Sequence, residues 1–142
     1  MIHFTIPGNC VSSKNSRPIF INKSTGARFI GKSKLLKDYI DNGLKELNIQ
    51  KRADIRNLCF RKSDPDWEGA RDYPIGIDIQ VTFKFYVQDK RKRDLVNLMQ
   101  APLDLLQKAG IISDDSIVKS LDGSRIYIDK SNPRTEIEIK II

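Results

Sequence analysis

The sequence predicts an α+β fold, a small single domain in which a mixed or antiparallel β-sheet packs against two main α-helices. The first observation is the length of 142 residues, close to the common size of one domain. The second is a set of segments in which apolar and polar residues alternate, as in half-buried strands. The third is a pair of segments with apolar residues at helical spacing. We therefore expect one domain over residues 1–142.

The first half of the chain contains a strand, a hairpin and a helix in the predicted order. Residues 3–6 alternate as a strand, and residues 18–22 and 27–30 flank a turn that ends at Gly26, which indicates a hairpin. Ser33 is a candidate N-cap for a helix that runs to about Gln50. Residues 51–76 are polar and contain prolines and glycines, so they are expected to form a variable insertion or a flap.

The second half begins with the clearest strand, residues 77–87, in which the odd-numbered positions are apolar. A helix follows from Asp94 to Ala109 and is ended by Gly110 in the C′ position. Pro102 lies inside this helix and predicts a kink or a local break. Three more strands are expected at residues 117–121, 125–129 and 136–142.

The composition favours a nucleic-acid partner and excludes several catalytic classes. Lys and Arg outnumber Asp and Glu by 25 to 18, and the pI is about 9.5, which favours a polyanion, although a merely solvated basic surface is the alternative. His3 is the only histidine, so a Ser-His-Asp, Cys-His or multi-histidine site has almost no material. The cysteines, Cys10 and Cys59, lack metal-site spacing and are expected to be reduced and buried.

No segment is apolar enough to cross a membrane, and the first residues lack the features of a signal peptide. We therefore expect a cytoplasmic protein.

Four consecutive cations, Lys90, Arg91, Lys92 and Arg93, stand directly before Asp94 at the predicted start of a helix. Cations attract phosphates, and a carboxylate beside them is suited to hold a Mg²⁺ ion that polarises a scissile phosphate. The structural alternative makes Asp94 a plain N-cap and the basic run a solvated connector.

Asp114 and Asp115 form a second carboxylate cluster between the helix and the next strand. Neighbouring strand residues point to opposite faces, so both side chains share a site only if they lie in the turn itself. A charged turn before a strand is the alternative. Asp104 shares a helix stripe with Asp94 and Asn97, but ten residues separate it from Asp94 by roughly 15 Å, which favours a supporting role.

These segments resemble the RusA-like Holliday junction resolvases, of the type common in phages and prophages, and the resemblance implies a bacterium or a phage-infected host cell. The pattern of that family is RxDxDN, then DAL, then G-x-x-x-DD. Here the matching segments are residues 90–98, 103–106 and 109–115. Residues 6–8 and 14–16 are similar to the family's N-terminal "PG…KKNS" element, and residues 123–136 to its closing strands.

The resemblance implies a homodimer that binds branched DNA and introduces paired nicks with Mg²⁺, or with Mn²⁺ in its place. Asp94 and Asp115, with Asp114 beside them, would be the catalytic metal ligands. Lys14 and Asn15 would join the basic run in binding DNA, and Asn97, Asp104 and Gln100 would support the site. Two positions depart from the family: Val96 replaces its second aspartate and Gln100 a lysine. Neither replacement supplies the original ligand or charge.

Three functions follow from these observations. The leading expectation is a Mg²⁺-dependent endonuclease that resolves four-way junctions in DNA recombination and repair. The first alternative is a catalytically weak or inactive dimer that binds junctions, and the second is a basic scaffold for a protein partner. Paired nicks require two sites related by a two-fold axis, so we expect a C₂ homodimer whose interface uses the apolar residues of 77–87 or the terminal strands.

Overall fold

The computed structural model describes residues 1–12, 19–31, 33–61 and 73–142. Its elements confirm the predicted α+β class, with two helices and a mixed sheet, and they follow one another in the predicted order. They are β1 (Ile2–Pro7), β2 (Ile19–Ile21), β3 (Arg28–Ile30), α1 (Lys34–Arg61), β4 (Ile79–Val87), α2 (Leu95–Lys108), a 3₁₀ turn (Asp115–Ile117), β5 (Val118–Ser120), β6 (Arg125–Ile128) and β7 (Arg134–Ile141).

β4 is the central strand of a five-stranded sheet. Along one edge it pairs antiparallel with β7, which in turn pairs antiparallel with β1. Along its other edge it pairs in parallel with β5 near Ile79 and with β6 from Lys84 to Val87. The short strands β5 and β6 therefore share one edge of β4. The predicted hairpin is confirmed as β2–β3, and it forms a separate two-stranded sheet.

The hydrophobic core lies between one face of this sheet and the two helices. Alternate residues of β1, β4 and β7 face the core, so the odd positions of β4 from Ile79 to Val87 are at most 1% exposed. The prediction that residues 77–87 form the dimer interface is therefore wrong, because the apolar face of β4 is covered by the chain's own helices. The other predicted interface, the terminal strands, stays a prediction. Ile77 is 56% exposed and precedes the strand.

Helix α1 is longer than predicted, and it replaces part of the expected insertion. It begins after Ser33, whose hydroxyl accepts a hydrogen bond from the Leu36 backbone N–H at 3.2 Å, and continues past Gln50 to Arg61. Residues 51–61 contain neither proline nor glycine, and their good helix formers extend the element although its apolar pattern fades. Residues 62–72 lie outside the described part of the chain. None of the described helices is long and apolar enough to span a membrane.

Helix α2 runs unbroken through Pro102, contrary to a predicted break. Proline cannot donate to the carbonyl four residues earlier, which leaves the Leu98 oxygen without its helical partner. The buried Cys10 thiol donates to that oxygen at a distance of 3.5 Å. Burial raises the pKa of Cys10 to about 11, so the thiol keeps the proton that it donates. Gly110 has a φ of 67° and ends the helix, as predicted.

β1 is an edge strand, and a side chain of α1 occupies part of its free edge. The Gln50 side-chain amide accepts from the Thr5 N–H at 2.8 Å and donates to the Thr5 carbonyl at 2.6 Å. These bonds satisfy backbone groups that an open edge would present to another strand. They also tie α1 to the sheet.

We expect Gln50→Ala to lower the free energy of unfolding by about 1 kcal/mol, because two partly solvated hydrogen bonds are lost. Urea unfolding followed by circular dichroism measures the change, and Lys45→Ala on an exposed position of the same helix is the matched control. A Gln50→Ala protein as stable as the control would show that the amide bonds contribute nothing to stability.

Candidate functional site

Asp94 is the N-cap of α2, at the end of the loop that follows β4. One carboxylate oxygen accepts from the Val96 N–H at 3.0 Å, and the other accepts from the Asn97 side-chain amide at 3.2 Å. Asp94 itself is exposed. Asp94 is therefore an N-cap, as the structural alternative predicted. Because its carboxylate is exposed and keeps unused lone pairs, it can also bind a cation.

A cleft of about 140 Å³ lies beside this carboxylate. One wall comes from α2 and the loop before it, and the other from the segment after β1. Its lining residues are Cys10, Ser12, Lys92, Arg93, Asp94, Asn97 and Leu98. The cleft therefore places cationic, amide and carboxylate groups around one small volume.

The four cations of the basic run have different environments. Lys90, Arg91 and Lys92 are exposed, and the Arg91 side chain is 85% exposed although it lies 3.6 Å from a carboxylate oxygen of Asp89. The Arg93 side chain is only 14% exposed and forms an ion pair with Asp89 at 2.8 Å. Its guanidinium also donates to the backbone carbonyls of Asp89 and Arg91. In this structure Arg93 holds the loop that precedes Asp94.

Asp89 is a residue whose role the sequence reasoning missed. It accepts from the Arg91 backbone N–H at 3.0 Å in addition to pairing with Arg93. These contacts, the backbone N–H first, lower the pKa of the Asp89 carboxyl. The signal was present in the i, i+4 spacing of Asp89 and Arg93, which places opposite charges within reach when a chain coils.

The second carboxylate cluster lies in the turn itself. Asp114 is the N-cap of the 3₁₀ turn and accepts from the Ser116 N–H at 2.8 Å, while Asp115 is the first residue of that turn. Hydrogen bonds from Ser116 lower the pKa of Asp114, so this carboxylate is charged near neutral pH. Both side chains are exposed.

The two clusters lie at opposite ends of α2. Asp94 precedes the first residue of this 14-residue helix and Asp115 follows its last turn, so about 21 Å of helix separates them. The sheet agrees with this separation, because Asp94 follows the end of β4 whereas β5 begins beside Ile79 at its start. Across the described residues, no group of three or more His, Cys, Asp or Glu side chains is placed to hold a metal ion.

The predicted supporting residues form two pairs on α2. Asn97 donates to Asp94, and Gln100 donates to Asp104 at 3.2 Å. Val96, which stands where the resembled pattern has an aspartate, is 72% exposed. Lys14 and Asn15 lie outside the described residues.

One comparison with known proteins identifies a family. The family model described as Endodeoxyribonuclease RusA matches residues 37–140 of the chain, which include both carboxylate clusters and the basic run. Among curated proteins, no significant match is found.

We expect Arg93→Ala to lower the urea midpoint by roughly 0.5 M, because the guanidinium satisfies a carboxylate and two carbonyls of the loop. Arg91→Ala removes an exposed cation of the same type and should leave the midpoint unchanged. The pKa of Asp89 is lowered in the folded state, so its pairing stabilises the fold at neutral pH and is lost as the pH falls below about 4. The difference between the two variants should shrink over that acid range. Equal midpoints at pH 7 would contradict the positioning role.

Proposed function

Because this chain belongs to the RusA endodeoxyribonuclease family, we propose that it is a divalent-metal-dependent endonuclease that nicks four-way DNA junctions as a homodimer. The observation that carries the proposal is the exposed Asp94 carboxylate at the start of α2, two positions after the last of three exposed cations, Lys90, Arg91 and Lys92. The cations would attract the DNA backbone, and the carboxylate would hold a metal ion beside a phosphate.

The donor groups fit a hard cation such as Mg²⁺ or Mn²⁺, since they are carboxylates. Asp94 would hold the ion from the N-terminal end of α2, with Asn97 orienting its carboxylate. Asp115, with Asp114 beside it, would supply ligands from the C-terminal end. A bound divalent ion supplies Lewis-acid stabilisation of the phosphate and lowers the pKa of an attacking water.

One chain by itself does not bring these ligands together, because α2 keeps them about 21 Å apart. A two-fold axis perpendicular to α2 reverses the helix direction, so the Asp94 end of one chain would lie beside the Asp115 end of its partner. Two such sites, each with ligands from both chains, would form per dimer. The same arrangement would give the two cuts that paired nicking of a junction requires.

The surface of α2 supports this pairing. Val96, Gln100 and Gln107 follow an i, i+4, i+11 spacing on one exposed stripe, and Val96 is 72% exposed. The two ends of the stripe also differ in charge, with Lys90 and Lys92 before the helix and Asp114 and Asp115 after it. Antiparallel pairing would place the basic end of each chain beside the acidic end of the other, which lowers Coulomb repulsion.

The second candidate is a junction-binding dimer with weak or no cleavage. The observations that favour it are the apolar side chain of Val96 in place of a carboxylate and the amide of Gln100, which is bonded to Asp104. A labelled junction with and without Mg²⁺ separates the candidates. Retardation in a gel without nicks across Mg²⁺ and Mn²⁺ would support the binder.

Asp94→Asn and Asp115→Asn should each abolish nicking while leaving junction affinity unchanged or improved, because each change removes a metal ligand and a negative charge near the phosphates. Asp122→Asn, on the exposed turn between β5 and β6, is the charge-matched control and should nick at the parental rate. Nicking at the parental rate by the Asp94 and Asp115 variants would show that the metal assignment is wrong.

A heterodimer of Asp94→Asn with Asp115→Asn should recover nicking, because one of its two shared sites would keep both aspartates. It can be isolated by co-expression of two differently tagged chains. A single intact site should cut one strand at about half the parental rate per dimer and give no paired incision. If each chain instead contained its own site, both sites would carry one substitution and the heterodimer would be inactive.

A further inference from the structure

The net positive charge of the chain is confined to its first 37 residues. Seven of the 25 Lys and Arg residues and none of the 18 Asp and Glu residues lie in residues 1–37. Residues 38–142 therefore carry 18 of each and have no net charge. The family match covers residues 37–140 and, apart from Lys37, lies in this neutral part. The net charge that favours a polyanion therefore comes from residues 1–37, whereas the basic run before Asp94 is balanced by carboxylates elsewhere in residues 38–142 and forms only a local positive patch.

The described centre of this basic segment is the β2–β3 hairpin. Every residue from position 19 to position 28 is exposed, and the hairpin forms its own two-stranded sheet. Lys23 lies in the turn and Arg28 begins β3. Lys34 and Lys37 follow in the first turn of α1, which has no acidic residue to complement the helix dipole.

The apolar side chains of β2 are exposed beside these cations. Ile19 and Ile21 share one face of the strand and are 68% and 62% exposed, and Phe20 is 41% exposed on the other face. Three consecutive large apolar residues on a solvated arm raise the free energy of the isolated chain, which indicates a surface that a partner covers.

The combination of cations and apolar side chains without carboxylates fits nucleic acid whose stacking is interrupted. Phosphates bind Lys and Arg, and inserted Ile, Leu or Phe side chains pack against bases that have lost a stacked neighbour. A four-way junction offers such base pairs at its branch point, where the arms diverge, whereas a continuous duplex offers none. A second copy of the same basic hairpin would instead bring like charges together.

From this placement we infer that the β2–β3 hairpin is the arm that recognises the branch point: Lys23 and Arg28 bind phosphates, and Ile19 and Ile21 pack against the unstacked base pairs. The inference rests on the proposed function, since it concerns the same DNA substrate. It assigns recognition of the branch to a segment outside the family match, and cutting to the ends of α2.

The double variant Lys23→Gln/Arg28→Gln tests the two cations. Fluorescence anisotropy measures its affinity for labelled DNA at a series of salt concentrations. The slope of log affinity against log salt should fall by about 1.8, since each phosphate contact contributes about 0.9 on duplex DNA. The loss should be equal on a junction and on a linear duplex. Lys45→Gln/Lys140→Gln removes two exposed cations elsewhere and should leave the slope at the parental value. If both double variants had the same slope of log affinity against log salt, Lys23 and Arg28 would not contact phosphates.

The apolar face is tested by Ile19→Thr/Ile21→Thr, which keeps β-branched residues in the strand. Junction affinity should fall roughly 10-fold or more, because a wedge between base steps is lost, while duplex affinity stays within about twofold. Ile128→Thr, at a strand residue of similar exposure, is the matched control. An equal loss on both DNAs, or none, would overturn recognition of the branch.

Two further measurements separate this inference from the proposed function. Light scattering of the DNA-free protein should give the same mass for the parent and the Ile19→Thr/Ile21→Thr variant; a variant that becomes monomeric would show that the hairpin contacts a second copy. A parent protein that binds the junction without nicking refutes the proposed function alone, whereas a nicking parent whose hairpin variants bind like it refutes the hairpin assignment alone.

Discussion

The antiparallel return of α2 along β4 is the constraint on which the remaining structure depends. β4 pairs with strands on both edges and buries its odd-numbered residues in the core, so its position at the centre of the sheet is fixed. From the end of β4 the chain passes through the basic run and enters α2 at Asp94. It then returns to the start of β4, where Asp114 and Asp115 lie beside β5. Asp94 and the Asp114–Asp115 pair are consequently held at opposite ends of α2. In the homodimer that we propose, the second chain brings the opposite end of its own α2 to each of them.

Several polar side chains at and near α2 stabilise the fold and also position the candidate site. Asp94 and Asp114 each cap a helical segment, which orients a carboxylate and keeps it exposed. Arg93 and Asp89 form an ion pair within the loop before Asp94, so one cation of the basic run stabilises the position of the site while its neighbours remain accessible. The Cys10 thiol satisfies the carbonyl that Pro102 releases, which allows a proline inside an unbroken helix.

Electrostatics divides the chain differently from its fold. Residues 38–142, which contain all but the first residue of the family match, have equal numbers of cations and carboxylates, which limits self-repulsion. The segment before it has only cations, and its hairpin projects apolar side chains into solvent. The excess of cations and the carboxylate clusters thus lie in separate segments of the chain.

Local chemistry determined much of this protein from its sequence alone. Several features depend only on neighbours within a few residues, and each was predicted. They are the alternation of β4, the turn of the β2–β3 hairpin, the caps at Ser33 and Asp94 and the end of α2 at Gly110. The length of α1 beyond Gln50 was not, because helix propensity continues where apolar periodicity fades. Only the tertiary structure decided that β5 and β6 share one edge of β4, that Arg93 turns inward to Asp89, and that Asp94 and Asp115 lie at opposite ends of α2. Those outcomes depend on how distant segments pack around one core, and periodicity and spacing carry no information about that packing.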